Sequence, residues 1–207
     1  MPERPRSIQI IAKELRLDDL VANRTMSPDI AKTLREVARA RHSFIVVAVP
    51  RLAGKSTVLR AILAERPASS PVTTLTEDSE VVDELVKKSV GGYLVIPEIT
   101  QSAAMPGYIW GAEVRRIFKS GNEGISLAAT LHAEGPDDAF AQICEGCKVP
   151  DADAARIKFA VYLRSIGRWE EPTRRVVQSV HSIEGVRDGK PRLKLLHRWD
   201  EQHDRFM

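Results

Sequence analysis

Apolar and polar positions alternate in two different rhythms along this chain, and the change of rhythm between residues 43 and 64 organises the rest. There the sequence reads SFIVVAVPRLAGKSTVLRAILA. Residues 44–49 form an unbroken apolar, β-branched run of strand length. A turn-type stretch follows to Gly54, and Val58, Leu59, Ile62 and Leu63 then recur at helical spacing behind Lys55-Ser56-Thr57. Upstream, residues 7–12 (SIQIIA) predict a short strand, and Leu15, Leu17, Leu20 and Val21 around Asp18-Asp19 predict a short helix or turn. Ser27 as N-cap and Pro28 at the first helical position open a helix carrying Ile30, Leu34, Val37 and Ala38 up to Arg41.

Downstream the same alternation repeats. Residues 72–76 predict a second strand ending in Glu77-Asp78, and residues 80–89 a helix with Val81, Val82, Leu85 and Val86 on its apolar face. After Gly91-Gly92, residues 93–96 predict a third strand that ends at Pro97-Glu98, and residues 108–119 a helix. A fourth strand spans residues 125–131 and closes with His132; a helix follows over residues 136–144, with Asp137-Asp138 suited to its first turn. Strands alternating with helices imply a mostly parallel sheet covered on both faces. From residue 156 the texture changes to strand-like runs at 157–163, 174–181 and 193–199, with turns at Gly167 and Asp188-Gly189. An Asp-Gly pair between apolar-alternating runs is a hairpin signal, so residues 156–207 read as an antiparallel extension. The expected division is a lead-in (1–42), an α/β core (43–155) and this extension within a single domain, as 207 residues allow.

Composition narrows the class. With 43% hydrophobic and 29% charged residues, the chain is of ordinary globular make-up. No apolar run reaches the roughly 18 residues of a membrane span, and the opening MPERPRSIQIIAKELRLDD turns charged too soon for a signal peptide. Two cysteines build no disulfide framework, so a cytoplasmic protein is expected. Residues 156–207 hold 12 Lys/Arg against 7 Asp/Glu, whereas residues 1–155 hold 19 against 21. A basic last third can face nucleic acid or anionic lipid; the plainer reading is a solvated face, and a nucleic-acid partner is not expected.

The candidate chemistry lies where polar residues punctuate strand ends. Lys55, Glu77-Asp78, Glu98 and His132 all fall just past predicted parallel strands, the edge at which open α/β sheets bind ligands. Strand, short loop ending in Gly-Lys-Ser, helix is the context of a phosphate-binding loop: backbone amides and the helix dipole face an anion, Lys55 supplies a point charge, and Ser56 a hydroxyl for Mg²⁺. Val49 stands six residues before Lys55, where that loop has glycine, and a valine must keep an ordinary negative φ there.

Taken together, these segments resemble the RecA-like ATPase domain of the type II/type IV secretion ATPase superfamily, which includes pilus motors. The family's G-P-T-G-S-G-K-S/T loop is matched by Val49-Pro50-Arg51-Leu52-Ala53-Gly54-Lys55-Ser56. Its acidic box is matched by Thr76-Glu77-Asp78, its Walker B segment V-G-E-I-R-D by Ile96-Pro97-Glu98-Ile99-Thr100-Gln101, and its T-L-H-T box by Ala129-Thr130-Leu131-His132-Ala133. The departures are Val49 and Leu52 for glycines, Ala53 for serine, Pro97 for the Walker B glycine, and Thr100-Gln101 for Arg-Asp. The resemblance covers residues 8–200; the N-terminal domain and the four-cysteine module of some members have no counterpart in it.

The resemblance implies an α/β, RecA-like P-loop NTPase that binds ATP and Mg²⁺ through Arg51, Leu52, Ala53, Gly54, Lys55, Ser56 and Thr57. Glu98 would polarise the attacking water, Glu77 and His132 would assist, and Ser56 and Asp78 would hold Mg²⁺, Asp78 through water. It further implies a homo-oligomeric ring, a hexamer, working with secretion or pilus machinery at the inner face of the membrane. The alternative is a catalytically weak or inactive member that serves an active secretion ATPase as a structural or regulatory partner. Arg115 and Arg116 are candidate fingers acting in trans but read first as surface residues. Cys144-Glu145-Gly146-Cys147 is a lone CxxC without the further ligands zinc requires. Tyr162, Trp169 and Trp199 read as packing residues.

Overall fold

The computed structural model describes residues 14–49, 53–75, 82–102, 107–121, 124–168 and 171–207. The expected strand at 7–12 lies outside these residues, as do Arg51, Leu52, Glu77, Asp78 and Trp169. The apolar run at 44–49 becomes β1 (Ser43–Ala48), every residue of it buried. Its alternation explains why both faces of the sheet are covered. Ile45 and Val47 point into one apolar cluster, whereas Phe44, Val46 and Ala48 point into another. Helices α1 (Leu17–Ala22), α2 (Pro28–Arg39) and α3 (Lys55–Leu63) pack on the second cluster through Leu17, Leu34, Leu59 and Ile62. Helices α4 (Val82–Lys88) and α5 (Ala112–Ser120) cover the first, with Leu85, Val114 and Phe118. Ser27 caps α2 as its sequence predicts, its Oγ accepting from the amide of Ile30 at 3.2 Å.

The remaining strands are β2 (Val72–Thr74), β3 (Tyr93–Ile99), β4 (Tyr108–Ile109), β5 (Ser126–Leu131), β6 (Ile157–Gly167), β7 (Pro172–Arg187), β8 (Lys190–Asp200) and β9 (Arg205–Phe206). Among the described residues they form one sheet in the order β2-β3-β5-β1-β6-β7-β8-β9, with β4 beside β3. The pairs from β2 to β6 are parallel and those from β6 to β9 antiparallel. The architecture is therefore the expected mixed α/β sheet with C-terminal hairpins.

Four expectations need correction. First, β6 runs parallel to β1 (Ile45 opposite Ala160, Val47 opposite Tyr162), so the antiparallel extension starts one strand later than the composition suggests. Second, β3 continues through Pro97 to Ile99. Proline has no ladder donor, and the strand absorbs it with a register shift against β5 between Ile96 and Ile99. Third, the helix expected from residue 108 begins at Ala112, because Tyr108-Ile109 extends the sheet beside Glu98-Ile99 and Gly111, at φ 63°, makes the corner. Fourth, the helix from Pro136 widens at Ala141 into a π-turn to Gly146. A short helix, α7 (Asp151–Ala154), follows α6 (Pro136–Phe140) and carried no periodic signal of its own.

Candidate functional site

The loop after β1 turns into α3 at Gly54, whose φ of 91° places it in the left-handed region. Only glycine adopts that conformation without strain, and this is the loop glycine the motif retains. A Cβ there would sit 3.2 Å from Cδ of Arg175, so space as well as torsion favours glycine. Val49 is half exposed and is not among the described residues with positive φ, as its branched side chain requires. Ala53 is buried, Ser56 exposed and Thr57 half-buried at the first turn of α3.

Lys55 points inward. Its side chain is 8% exposed, and Nζ lies 3.5 Å from Oε2 of Glu98, itself 7% exposed. Nζ is also 3.3 Å from both ring nitrogens of His132, which follows β5. A point equidistant from the two nitrogens lies off the axis of either lone pair, so the contact sets a charge against the ring rather than one aligned bond. The Oγ1 hydroxyl of Thr130 lies 2.8 Å from Glu98 Oε2 and also reaches the carbonyl of Pro97. Behind His132, the side-chain amide of Gln142 donates to its backbone carbonyl at 2.7 Å, tying the end of β5 to the π-turn. The start of α3, after β1, and the ends of the adjacent strands β3 and β5 therefore deliver one cation, one carboxylate and one imidazole to a single point.

Glu98 Oε1 is buried with no hydrogen-bond partner. An unsatisfied carboxylate oxygen costs free energy unless a ligand, metal or water meets it. The group opens onto a cleft of about 820 Å³, within the usual range of ligand pockets. Gly54, Lys55, Ser56 and Thr57 form its floor. Leu15, Leu20, Asn23 and Thr25 close one side, and Thr173, Arg174 and Arg175 of β7 another. A smaller cavity of about 450 Å³ lies along α3, with Ser56 lining both.

Sequence reasoning brought Ala53, Gly54, Lys55, Ser56, Thr57, Glu98 and His132 to this cleft; it quoted Thr130 only as part of the box before His132, without a role, and missed Gln142 and Arg175. Thr130 and Gln142 act by positioning, for which the local pattern carries no signal, and Arg175 lies in a basic run that reads as solvated. The finger candidates have partners within the chain: Arg116 pairs with Asp83, and Arg115 donates to the carbonyl of Cys147 at 2.6 Å. Cys144 and Cys147 are both buried, and burial, with a further contribution from Asp151, pushes the Cys144 thiol up to about 11. Tyr162 packs against the first cluster, and Trp199 is buried with its Nε1 donating to Asp204 at 3.0 Å.

No protein-family model matches the chain, and no curated protein matches it in sequence. Among solved structures it is similar to the VirB11 ATPase of the Brucella suis type IV secretion system, solved in complex with sulphate. The TM-score is 0.54 at 14% identity, over 84% of this chain and 58% of that one. The chain shares its fold with that VirB11 ATPase. The chain spans a little over half the length of VirB11. Lower scores, 0.49 in each case, relate it to DotB ATPases: that of Legionella pneumophila at 16% identity over 71% of this chain and 47% of that one, and that of Yersinia pseudotuberculosis at 13% over 77% and 47%. In this sheet Glu98 lies at the carboxyl end of β3 and Lys55 opens the helix that follows β1, and none of the described helices is long and apolar enough to cross a membrane.

Proposed function

We propose that this chain binds Mg-ATP in the Lys55 cleft and hydrolyses it, as an ATPase of the type II/type IV secretion or pilus-motor kind. The observation that supports this best is the buried Lys55–Glu98 pair at the start of α3, with one carboxylate oxygen buried and without a hydrogen-bond partner. On this reading the amides of Gly54, Lys55, Ser56 and Thr57 receive the phosphates. Lys55 exchanges Glu98 for the β- and γ-phosphate oxygens, and Glu98, released but still held by Thr130, orients a water for attack. Phosphoryl transfer needs positioning and charge stabilisation above all. His132 would report the γ-phosphate to the strand end that Gln142 anchors. The oxygen donors present suit Mg²⁺: the Ser56 hydroxyl would hold it, with Asp78 and Glu77 of the acidic box alongside. Held by these residues, Mg²⁺ would supply charge neutralisation for the phosphates. Arg51, Leu52 and Ala53 complete the loop.

The larger setting belongs to the same proposal: a homo-oligomeric ring, a hexamer, in the cytoplasm, working with secretion or pilus machinery at the inner membrane. The second reading, a catalytically inactive partner of an active secretion ATPase, draws on the closed Lys55–Glu98 pair, which any bound phosphate must first open. Calorimetry with Mg-ATP and a phosphate-release assay separate the two. Wild-type protein is expected to bind and turn over, Lys55→Ala to lose binding, and Glu98→Gln to bind without turnover. Absence of binding or of phosphate release overturns the first reading and selects the second, whereas magnesium-dependent phosphate release that Glu98→Gln abolishes overturns the second.

A further inference from the structure

We propose that Arg175, on β7, binds the polyphosphate of the nucleotide from within the same chain, supplying a cationic contact where the loop has lost glycines. The inference rests on the nucleotide reading of the cleft. It starts from strand register. Leu163 pairs with Val177 and Ser165 with Arg175, with no irregularity between them. Val177 is fully buried in the cluster that also holds Val58, Leu59 and Ile62 of α3. Side chains two apart on a strand share a face, so Arg175 lies on the α3 side, one step beyond the apolar contact and over the helix start. The contact at Gly54 agrees: the Arg175 stem passes 3.2 Å from where a Cβ on that glycine would be. The amide of Val177 donates to the carbonyl of Thr25 at 2.8 Å, which fixes this end of β7 against the segment between α1 and α2.

The neighbouring arginine has a different task. Arg174 donates to Asp204 at 2.6 Å and to the carbonyl of Arg24 at 3.1 Å, and its guanidinium lies 5.8 Å from the Trp199 ring centre. It fastens the C-terminal hairpin. Both arginines line the cleft, and Arg175 is the one whose stem passes over Gly54 at the helix start; the same cleft holds Glu98, whose Oε1 is buried without a hydrogen-bond partner, a place where a ligand would complete the bonding. Loop amides approach phosphate most closely where glycine leaves the backbone bare; Leu52 and Ala53 do not. A guanidinium offers two parallel donors to neighbouring phosphate oxygens, a geometry lysine lacks.

The test compares wild type, Arg175→Ala, Arg175→Lys and Lys55→Ala. Mg-ATP affinity is measured by calorimetry, inorganic tripolyphosphate by competition against a fluorescent ATP analogue, and integrity by thermal melting. Arg175→Ala is expected to weaken both ATP and tripolyphosphate about tenfold or more, the size of one charge-assisted contact, in a protein that still melts cooperatively. Arg175→Lys should recover only part of the loss. Wild-type affinity in Arg175→Ala, alongside lost binding in Lys55→Ala, overturns this inference and leaves the nucleotide reading standing. Weakened ATP with unchanged tripolyphosphate also overturns it, by placing Arg175 at the base or ribose. If wild type binds neither ligand, the nucleotide reading fails first, and this inference with it.

Discussion

Removing Lys55 gives the sharpest test of the site as a physical object, independent of any ligand. Lys55→Met leaves a carboxylate that is 7% exposed, with Oε1 unpartnered and its cation gone. Breaking a buried pair from one side costs about 3–5 kcal/mol. Here the low end, about 3 kcal/mol, applies, because Thr130 still holds Oε2 at 2.8 Å. For a chain of this size that lowers Tm by about 6–12 °C. Glu98→Gln removes the charge but keeps the shape, and Lys55 can extend its ammonium into the cleft, so about 1 kcal/mol is lost. The double variant Lys55→Met with Glu98→Gln buries no charge and is expected to be more stable than Lys55→Met alone, with a coupling of about 2 kcal/mol. Urea denaturation of the four proteins reads the cycle directly. Additivity within about 0.5 kcal/mol, or a Lys55→Met protein as stable as wild type, would refute the claim that the pair is buried and mutually dependent.

Three further expectations follow from single features. Gly54→Ala forces a Cβ into left-handed backbone against Arg175, costing about 1–2 kcal/mol; an unchanged Tm would contradict the torsion of 91°. Burial, aided by Asp151 and Glu145, raises the Cys144 thiol to about 11, and burial raises Cys147 as well. A thiol reagent at pH 8 should therefore label the native protein far more slowly than the denatured one, and equal rates would show the π-turn to be open. His181 and His197 both have their pKa lowered by burial, partly offset by Asp137 and Asp29 respectively. In the unfolded chain they take up protons near pH 6.5, and in the fold only at lower pH. Their contribution to stability is thus complete above about pH 6.5 and shrinks as pH falls toward the lowered folded values. Replacing both with Gln should flatten that part of a stability-against-pH curve.

The sheet was legible because buried parallel strands leave continuous apolar runs, and each run had a helix-period partner. The sequence also located Lys55, Glu98 and His132, since each closes such a run. What it concealed depends on contacts between distant segments. Pro97 marks a strand end by local rules, yet β3 passes through it because Thr130 on β5 takes up its carbonyl and the ladder shifts register. Parallel and antiparallel pairing leave the same alternation in one strand, so β6 could not be told from the hairpins that follow it. Arg175 was invisible for the same reason: nothing near residue 175 records that Gly54 lies beneath it.

The free flank of β8 gives the basic last third of the chain a use of its own. On one side β8 pairs with β7, and on the other β9 and Met207 after it cover Arg198, Trp199 and Asp200. Among the described residues, the stretch from Lys190 to His197 is thus an open border carrying the half-buried Leu193 and Leu196 and the exposed Leu195. Such a border invites a second copy to add its own strand. Where such borders pair in register, Lys190, Arg192 and Lys194, all exposed at every second position, would meet like charges, Arg192 with its own Glu184 beside it. Cations at such spacing would disfavour edge-to-edge pairing between copies of the chain.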